Sequence, residues 1–193
     1  MAAGKVITGF SKPYVAIYSN SGQTVTYTNG QQLARGVEAE ISPEVSDANN
    51  FYADNVVAET AAGIFTGGEL TLTVDGLFQA AEKLIMGLPE AATDGFVAYG
   101  AESTPPFVGV GFIIRYMSDG VTSYKPVVLP KCAFAPITIS AATQEDEIDW
   151  QTQELTASIF RDDTDVMAWQ YSGGEETTEA AAEAKIKTKL GIS

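Results

Sequence analysis

Residues 69–88 read Glu69-Leu70-Thr71-Leu72-Thr73-Val74-Asp75-Gly76-Leu77-Phe78-Gln79-Ala80-Ala81-Glu82-Lys83-Leu84-Ile85-Met86-Gly87-Leu88. Two periods meet in this stretch. Leu70, Leu72 and Val74 alternate with Glu69, Thr71 and Thr73, the pattern of a strand buried on one face only. From Asp75 onward Leu77, Ala81, Leu84 and Leu88 recur at helical spacing, with Asp75 placed to accept from a free first-turn amide and Gly87 placed as a left-handed stop. The spacing predicts a strand running straight into a helix over 76–87. The rest of the chain is punctuated as short antiparallel strands. The fold class expected is therefore mainly β, a β-sandwich or distorted barrel with one packed α-helix, a long loop and a C-terminal helical segment.

Before this unit, Tyr14-Val15-Ala16-Ile17-Tyr18 reads as a strand, Asn20-Ser21-Gly22 as a turn, and Asn29-Gly30 as a tight hairpin turn. Val37, Ala39 and Ile41 alternate with Glu38 and Glu40, a strand with one acidic face. Residues 43–68 read as a long connection, carrying Phe51-Tyr52-Ala53-Asp54-Asn55 and the apolar pair Ile64-Phe65. Connections beyond ~12–15 residues are usually functional or disordered. An edge strand at 51–58 and an arm reaching a neighbouring subunit are both open readings.

After it, Val108, Val110, Phe112, Ile114 and Tyr116 alternate up to Asp119-Gly120, a two-residue turn that sets Phe112 opposite Val127 and Val110 opposite Leu129. Gly109 and Gly111 leave the reverse face flat for something bulky. Pro126 and Pro130 predict a return strand at an edge or bulged. A strand from Ile148 to Phe160 switches parity between Trp150 and Leu155, which predicts a bulge near Thr152 to Glu154. Asp162-Asp163-Thr164-Asp165 lacks the glycine and terminal glutamate of an EF-hand loop and reads as a solvated turn. Val166 to Tyr171 reads as a closing strand. Residues 177–190 place Glu179 and Glu183 early and Lys185, Lys187 and Lys189 late, an order that suits a helix dipole. The stripe Ala182, Ile186 and Leu190 is narrow, so this helix needs a docking partner, its own domain or a neighbour. The organisation expected is one domain over 1–174 and a C-terminal helical arm over 175–193.

The 193 residues contain no histidine and a single cysteine, Cys132. Triads that depend on imidazole, the usual zinc cages and internal disulfides are thereby excluded. The opening Met1-Ala2-Ala3-Gly4-Lys5 has no apolar run of a secretory signal, and Phe107 to Ile114 falls short of the ~20 residues of a membrane span. Neither export nor a membrane role is expected. A net charge of −14, from 25 acidic and 11 basic side chains, argues against a protein that grips nucleic acid.

In Gly4-Lys5-Val6 before Tyr14-Val15-Ala16, in Tyr52-Ala53-Asp54-Asn55, in the strand-helix unit ending at Gly87, in Phe107 to Ile114 with Asp119-Gly120, and in Trp150-Gln151-Thr152-Gln153-Glu154-Leu155, the chain resembles the major tail tube proteins of bacteriophages with long non-contractile tails. The resemblance runs nearly end to end and contains no catalytic signature. It implies a structural virion protein made in the host cytoplasm, without cofactors, that forms six-fold rings stacked into a hollow tube. It implies as partners the chain itself, a tape-measure protein that sets length, and tail-terminator and distal tail proteins. DNA passes through the lumen without specific binding. On this reading Glu38, Glu40, Glu69 and Glu154 are the candidates for an acidic lumen. Phe51, Tyr52, Ile64, Phe65, Ile186 and Leu190 are the candidates for contacts within and between rings. Two other classes stand beside it: a β-sandwich ligand-binding or adhesin module, and an enzyme using paired carboxylates, for which no acid is forced into an apolar pocket by the local pattern.

Overall fold

The computed structural model describes residues 4–100, 103–143 and 150–192. It is mainly β, with antiparallel pairing throughout. The elements are β1 Val6–Ser21, β2 Thr24–Gln32, β3 Gly36–Val45, β4 Asn49–Ala53, β5 Val56–Ala61, β6 Phe65–Val74, α1 Gln79–Met86, β7 Val108–Ser118, β8 Val121–Phe134, β9 Gln153–Phe160, β10 Tyr171–Ser172 and α2 Glu179–Lys189. One sheet runs β2-β1-β7-β8-β9-β6-β3, with β10 paired to β8, and β4-β5 form a separate hairpin. The sheet rolls on itself, so β3 returns toward β1 and the Phe10 ring lies over Gly36.

The alternation in β6 holds: Leu70, Leu72 and Val74 are fully buried and form the inside of the roll with Val15, Val110, Phe112, Leu129 and Leu155. α1 plugs this interior through Ala81, Ile85 and Met86, while Leu77, Leu84 and Leu88 pack at its margin. The helix is shorter than expected and its buried stripe is rotated accordingly. Its N-cap is Phe78, without a side-chain cap, because Asp75 is engaged elsewhere: its carboxylate accepts from the Arg35 amide at 3.0 Å and from the Arg35 guanidinium. Gly87 ends the helix as expected, in the left-handed region at φ 62°.

The β7-β8 turn at Asp119-Gly120 puts both residues at positive φ and pairs Phe112 with Val127 and Val110 with Leu129. β8 is not an edge. It lies between β7 and β9, and its prolines are accommodated by a register shift near Pro130 and by the short β10 beside Pro126, whose carbonyl accepts from Gly173. Asn29-Gly30 makes no hairpin turn. The chain reverses at Gly22-Gln23, and Asn29, at φ 53°, belongs to a bulge within β2, where Ala16 of β1 faces both Asn29 and Gly30 of β2. The strand expected from Ile148 begins only at Gln153, so the parity switch is a strand start rather than a bulge; Trp150 is exposed and Ile148 lies outside the described residues. The closing strand Val166 to Tyr171 shrinks to β10.

The C-terminal helix is not a free arm. α2 lies on the outer face of β1, β7 and β8, with Ala182, Ile186 and Leu190 fully buried against Tyr14, Ala16, Ile113 and Val128. The flat face left by Gly109 and Gly111 is its seat: a Cβ at Gly111 would stand 2.5 Å from Ile186 Cγ2, and one at Gly109 2.7 Å from Leu190 Cδ2. Ile186 and Leu190 are thus core residues of their own domain and are withdrawn as contacts between subunits. The long loop 43–68 is likewise mostly strand. β3 continues through Pro43 to Val45, and β4 and β5 meet at Asp54-Asn55, both in the left-handed region at φ 52° and 63° as a tight hairpin turn demands. Among the described residues no helix is long and apolar enough to cross a membrane.

Candidate functional surface

Strand register brings the four candidate carboxylates onto one face. Cross-strand partners share a side of the sheet, so Glu38, Thr73 and Glu154 form one row over β3, β6 and β9. Glu40, Thr71 and Thr156 form the next, and Ser42, Glu69 and Ser158 the third. The opposite side of the same strands carries Ala39, Ile41, Leu70, Leu72, Leu155 and Ala157, which face the core. All four glutamates are exposed. Glu44, opposite Gly67, extends the set; the continued even-numbered parity 38, 40, 44 was its signal in the sequence.

Every glutamate in these rows has a threonine or serine directly across from it, never a second acid. Like charges directly opposite would destabilise the ladder, and this placement keeps nearest carboxylates about 7–10 Å apart, given ~4.8 Å between strands and ~3.4 Å per residue. That separation is near the ~8 Å screening length at physiological salt, so the fields overlap into one negative surface. β3, β6 and β9 contain no lysine or arginine. The cations at their ends are engaged: Arg35 with Asp75, and Arg161 with the Phe65 carbonyl.

The cations concentrate instead around α2. Lys5 pairs with Glu175, Lys185 with Glu176, and both Lys12 and Lys187 with Glu183. The Lys12 ammonium, the Tyr14 hydroxyl at 2.6 Å and Lys187 hold the Glu183 carboxyl down at about 2. A second polar cluster lies below the 162–168 turn. Asp162, buried, accepts from Thr164 Oγ1, the Ala168 amide and Tyr171 Oη at 2.7–2.9 Å, so this turn is organised from within rather than solvated. Lys131 and the Tyr18 hydroxyl hold Asp163 below the usual carboxylate range, and burial with that same bond pushes Tyr18 up to about 12. Both clusters are internally satisfied; Asp162, Thr164 and Tyr171 also line an open recess of 390 Å³ with Tyr27 and Lys189. Among the described residues no three histidine, cysteine or acidic side chains converge as a metal cage.

The apolar candidates divide. Phe51 and Tyr52 on β4 and Ile64 before β6 are exposed. Phe65 is half-buried and stacked on Trp169, with ring centroids 4.8 Å apart, so it belongs to its own domain. Val45, Val56 and Val57 join the exposed set at the same end, and the sequence reading missed them because a supposed loop carries no face. No family model matches this chain, and no curated protein matches it significantly.

Proposed function

We propose that the chain is the structural subunit of a phage-type tail tube, self-assembling into stacked, six-fold rings that conduct DNA. The observation that carries this reading is the three-strand face of carboxylates and hydroxyls without a cation. DNA presents about one negative charge per ~1.7 Å, and a basic channel would hold it at many points. A lining of Glu38, Glu40, Glu69 and Glu154 repels it while the intervening threonines and serines keep the wall wetted. The free edge of β3 offers unpaired backbone groups through which neighbouring copies extend one sheet, which also removes an aggregation hazard. On this reading the subunit is a virion component with no catalytic role and no cofactor. Its partners are its own copies, a tape-measure protein, a tail terminator and a distal tail protein.

Electron microscopy of the purified chain across a range of concentrations tests the reading. Rings with a central hole or hollow tubes are expected; dispersed monomers at every concentration overturn it. In assembled tubes, replacing Glu38 and Glu40 together by glutamine is expected to leave the rings intact and slow DNA exit. Unchanged ejection assigns the lumen to a different face.

A further inference from the structure

Among the described residues, neither core cluster includes a side chain of the β4-β5 hairpin. All eleven residues of its two strands are exposed, and an isolated two-stranded hairpin is marginal in water. Its apolar side chains lie on both faces: the register pairs Tyr52 with Val57 on one side, and Phe51 and Val56 share the other. Docking flat on a surface would leave one aromatic ring in water, whereas insertion into a groove covers both.

Phe51 and Tyr52 are 64% and 61% exposed, and Val45, Val56, Val57 and Ile64 between 49% and 66%. At ~150–250 Å² for a whole aromatic side chain and ~60–120 Å² for a branched aliphatic one, these six hold roughly 500 Å² of apolar surface in water. That matches the apolar share, ~57%, of the ~800 Å² that each partner gives to a stable specific interface.

Among the described residues, the cleft between β1 and β3 suits this wedge best. The first half of β1 pairs only with β7 and β3 pairs only with β6, so both strands turn an unpaired edge toward the cleft between them. The cleft has a volume of 360 Å³ and is lined by Ile7, Phe10, Val37, Ile41, Phe112 and Ile114, with Glu38 as its single charged side chain. An apolar cavity of ~150 Å³ holds one benzene ring, so this one has room for two. Two larger recesses lie beside α1: one of 570 Å³, lined by Asp75, Glu82 and Glu154, would meet Asp54 and Glu59 of the hairpin with like charge, and one of 600 Å³ has a more polar wall, with Asn29, Gln31, Lys83 and Glu90.

We infer that the β4-β5 hairpin of one copy wedges Phe51 and Tyr52 into the cleft between β1 and β3 of a second copy. The inference rests on the self-assembly reading above and names its contact. Donor and acceptor surfaces are different parts of the chain, so the contact is head-to-tail and propagates until a ring closes.

The test mixes full-length Ala53→Cys chain, which keeps both rings, with Val37→Cys chain under mild oxidation. Cys132 is buried and takes no part. A disulfide-linked dimer is expected in the mixture and in neither chain alone. Linkage of Ala53→Cys to itself, or to Thr138→Cys in the recess instead of to Val37→Cys, overturns the inference. Rings seen by microscopy without the Ala53–Val37 link overturn the groove and leave the tube reading standing; absence of both rings and link overturns both. As a second measure, replacing Phe51 and Tyr52 by alanine is expected to leave the monomer's melting temperature unchanged and to raise the concentration needed for assembly by about 30-fold or more, the cost of losing hot-spot rings. Assembly at the original concentration overturns the inference.

Discussion

The β4-β5 hairpin and α2 look alike as sequence, each a segment with a few apolar residues and no obvious surface to cover. In the folded chain they are opposites. α2 sits on a prepared seat, with glycines cleared beneath Ile186 and Leu190 and a ring of ion pairs at its rim. The hairpin projects with both faces bare. The difference lies in the receiving surface. A narrow helix stripe is enough when the strands below it have given up their side chains, whereas two aromatic rings stay exposed among the described residues of their own chain.

Truncating each segment should separate them most sharply. Ile186→Ala removes a fully buried side chain and is expected to cost about 2–5 kcal/mol, or roughly 5–15 °C of melting temperature for a chain of this size. Tyr52→Ala in the monomer is expected to stay within about 0.5 kcal/mol. Equal losses in thermal or urea unfolding would erase the distinction.

Acid should sharpen it at intermediate magnitude. Glu183 titrates at about 2 when folded and near 4.5 when unfolded, so its contribution is full above 4.5 and is lost as pH falls from 4.5 toward 2. With its side chain mostly covered, the loss should be about 2 kcal/mol. Urea midpoints measured between pH 5 and pH 2 should fall less steeply for Glu183→Gln than for the parent chain. Parallel curves would mean that the carboxylate does not hold α2 to β1.

The smallest effect concerns the start of α2. Thr178 Oγ1 accepts from the Ala181 amide at 3.3 Å, and Thr178→Ala should cost about 1 kcal/mol. Amide exchange in the first turn should quicken while the second half of the helix, anchored by Ile186, keeps its protection. Loss of protection along the whole helix would show that the cap, rather than the glycine seat, holds it.

Much of this fold was legible because local pattern and tertiary role coincide. Leu70, Leu72 and Val74 alternate and are buried; Asp119-Gly120 fixes a register that aligns two apolar faces. Readings failed where one local signal serves two structures. Asn29-Gly30 suits a tight turn and also a bulge, and Gly22-Gln23 had already reversed the chain. Asp75 suits a helix cap, but the Arg35 corner competes for its oxygens. The hairpin escaped notice because its apolar residues occupy both faces and so do not alternate, although Asp54-Asn55 was a turn signal in plain view. The acidic face was legible strand by strand; that β3, β6 and β9 are neighbours is a long-range fact which no local pattern encodes.

The glycine seat also imposes an order in time. Tyr14, Ala16, Gly109, Gly111, Ile113 and Val128 are all synthesised before the residues that cover them, with roughly sixty residues between Val128 and Leu190. At ~5–20 residues per second on a ribosome, that interval is roughly 3–12 s. Through those seconds the growing chain carries an open apolar slot shaped for a helix, a target for chaperones and for neighbouring nascent chains on the same messenger. Its closure by α2 marks the moment at which this slot no longer needs protection.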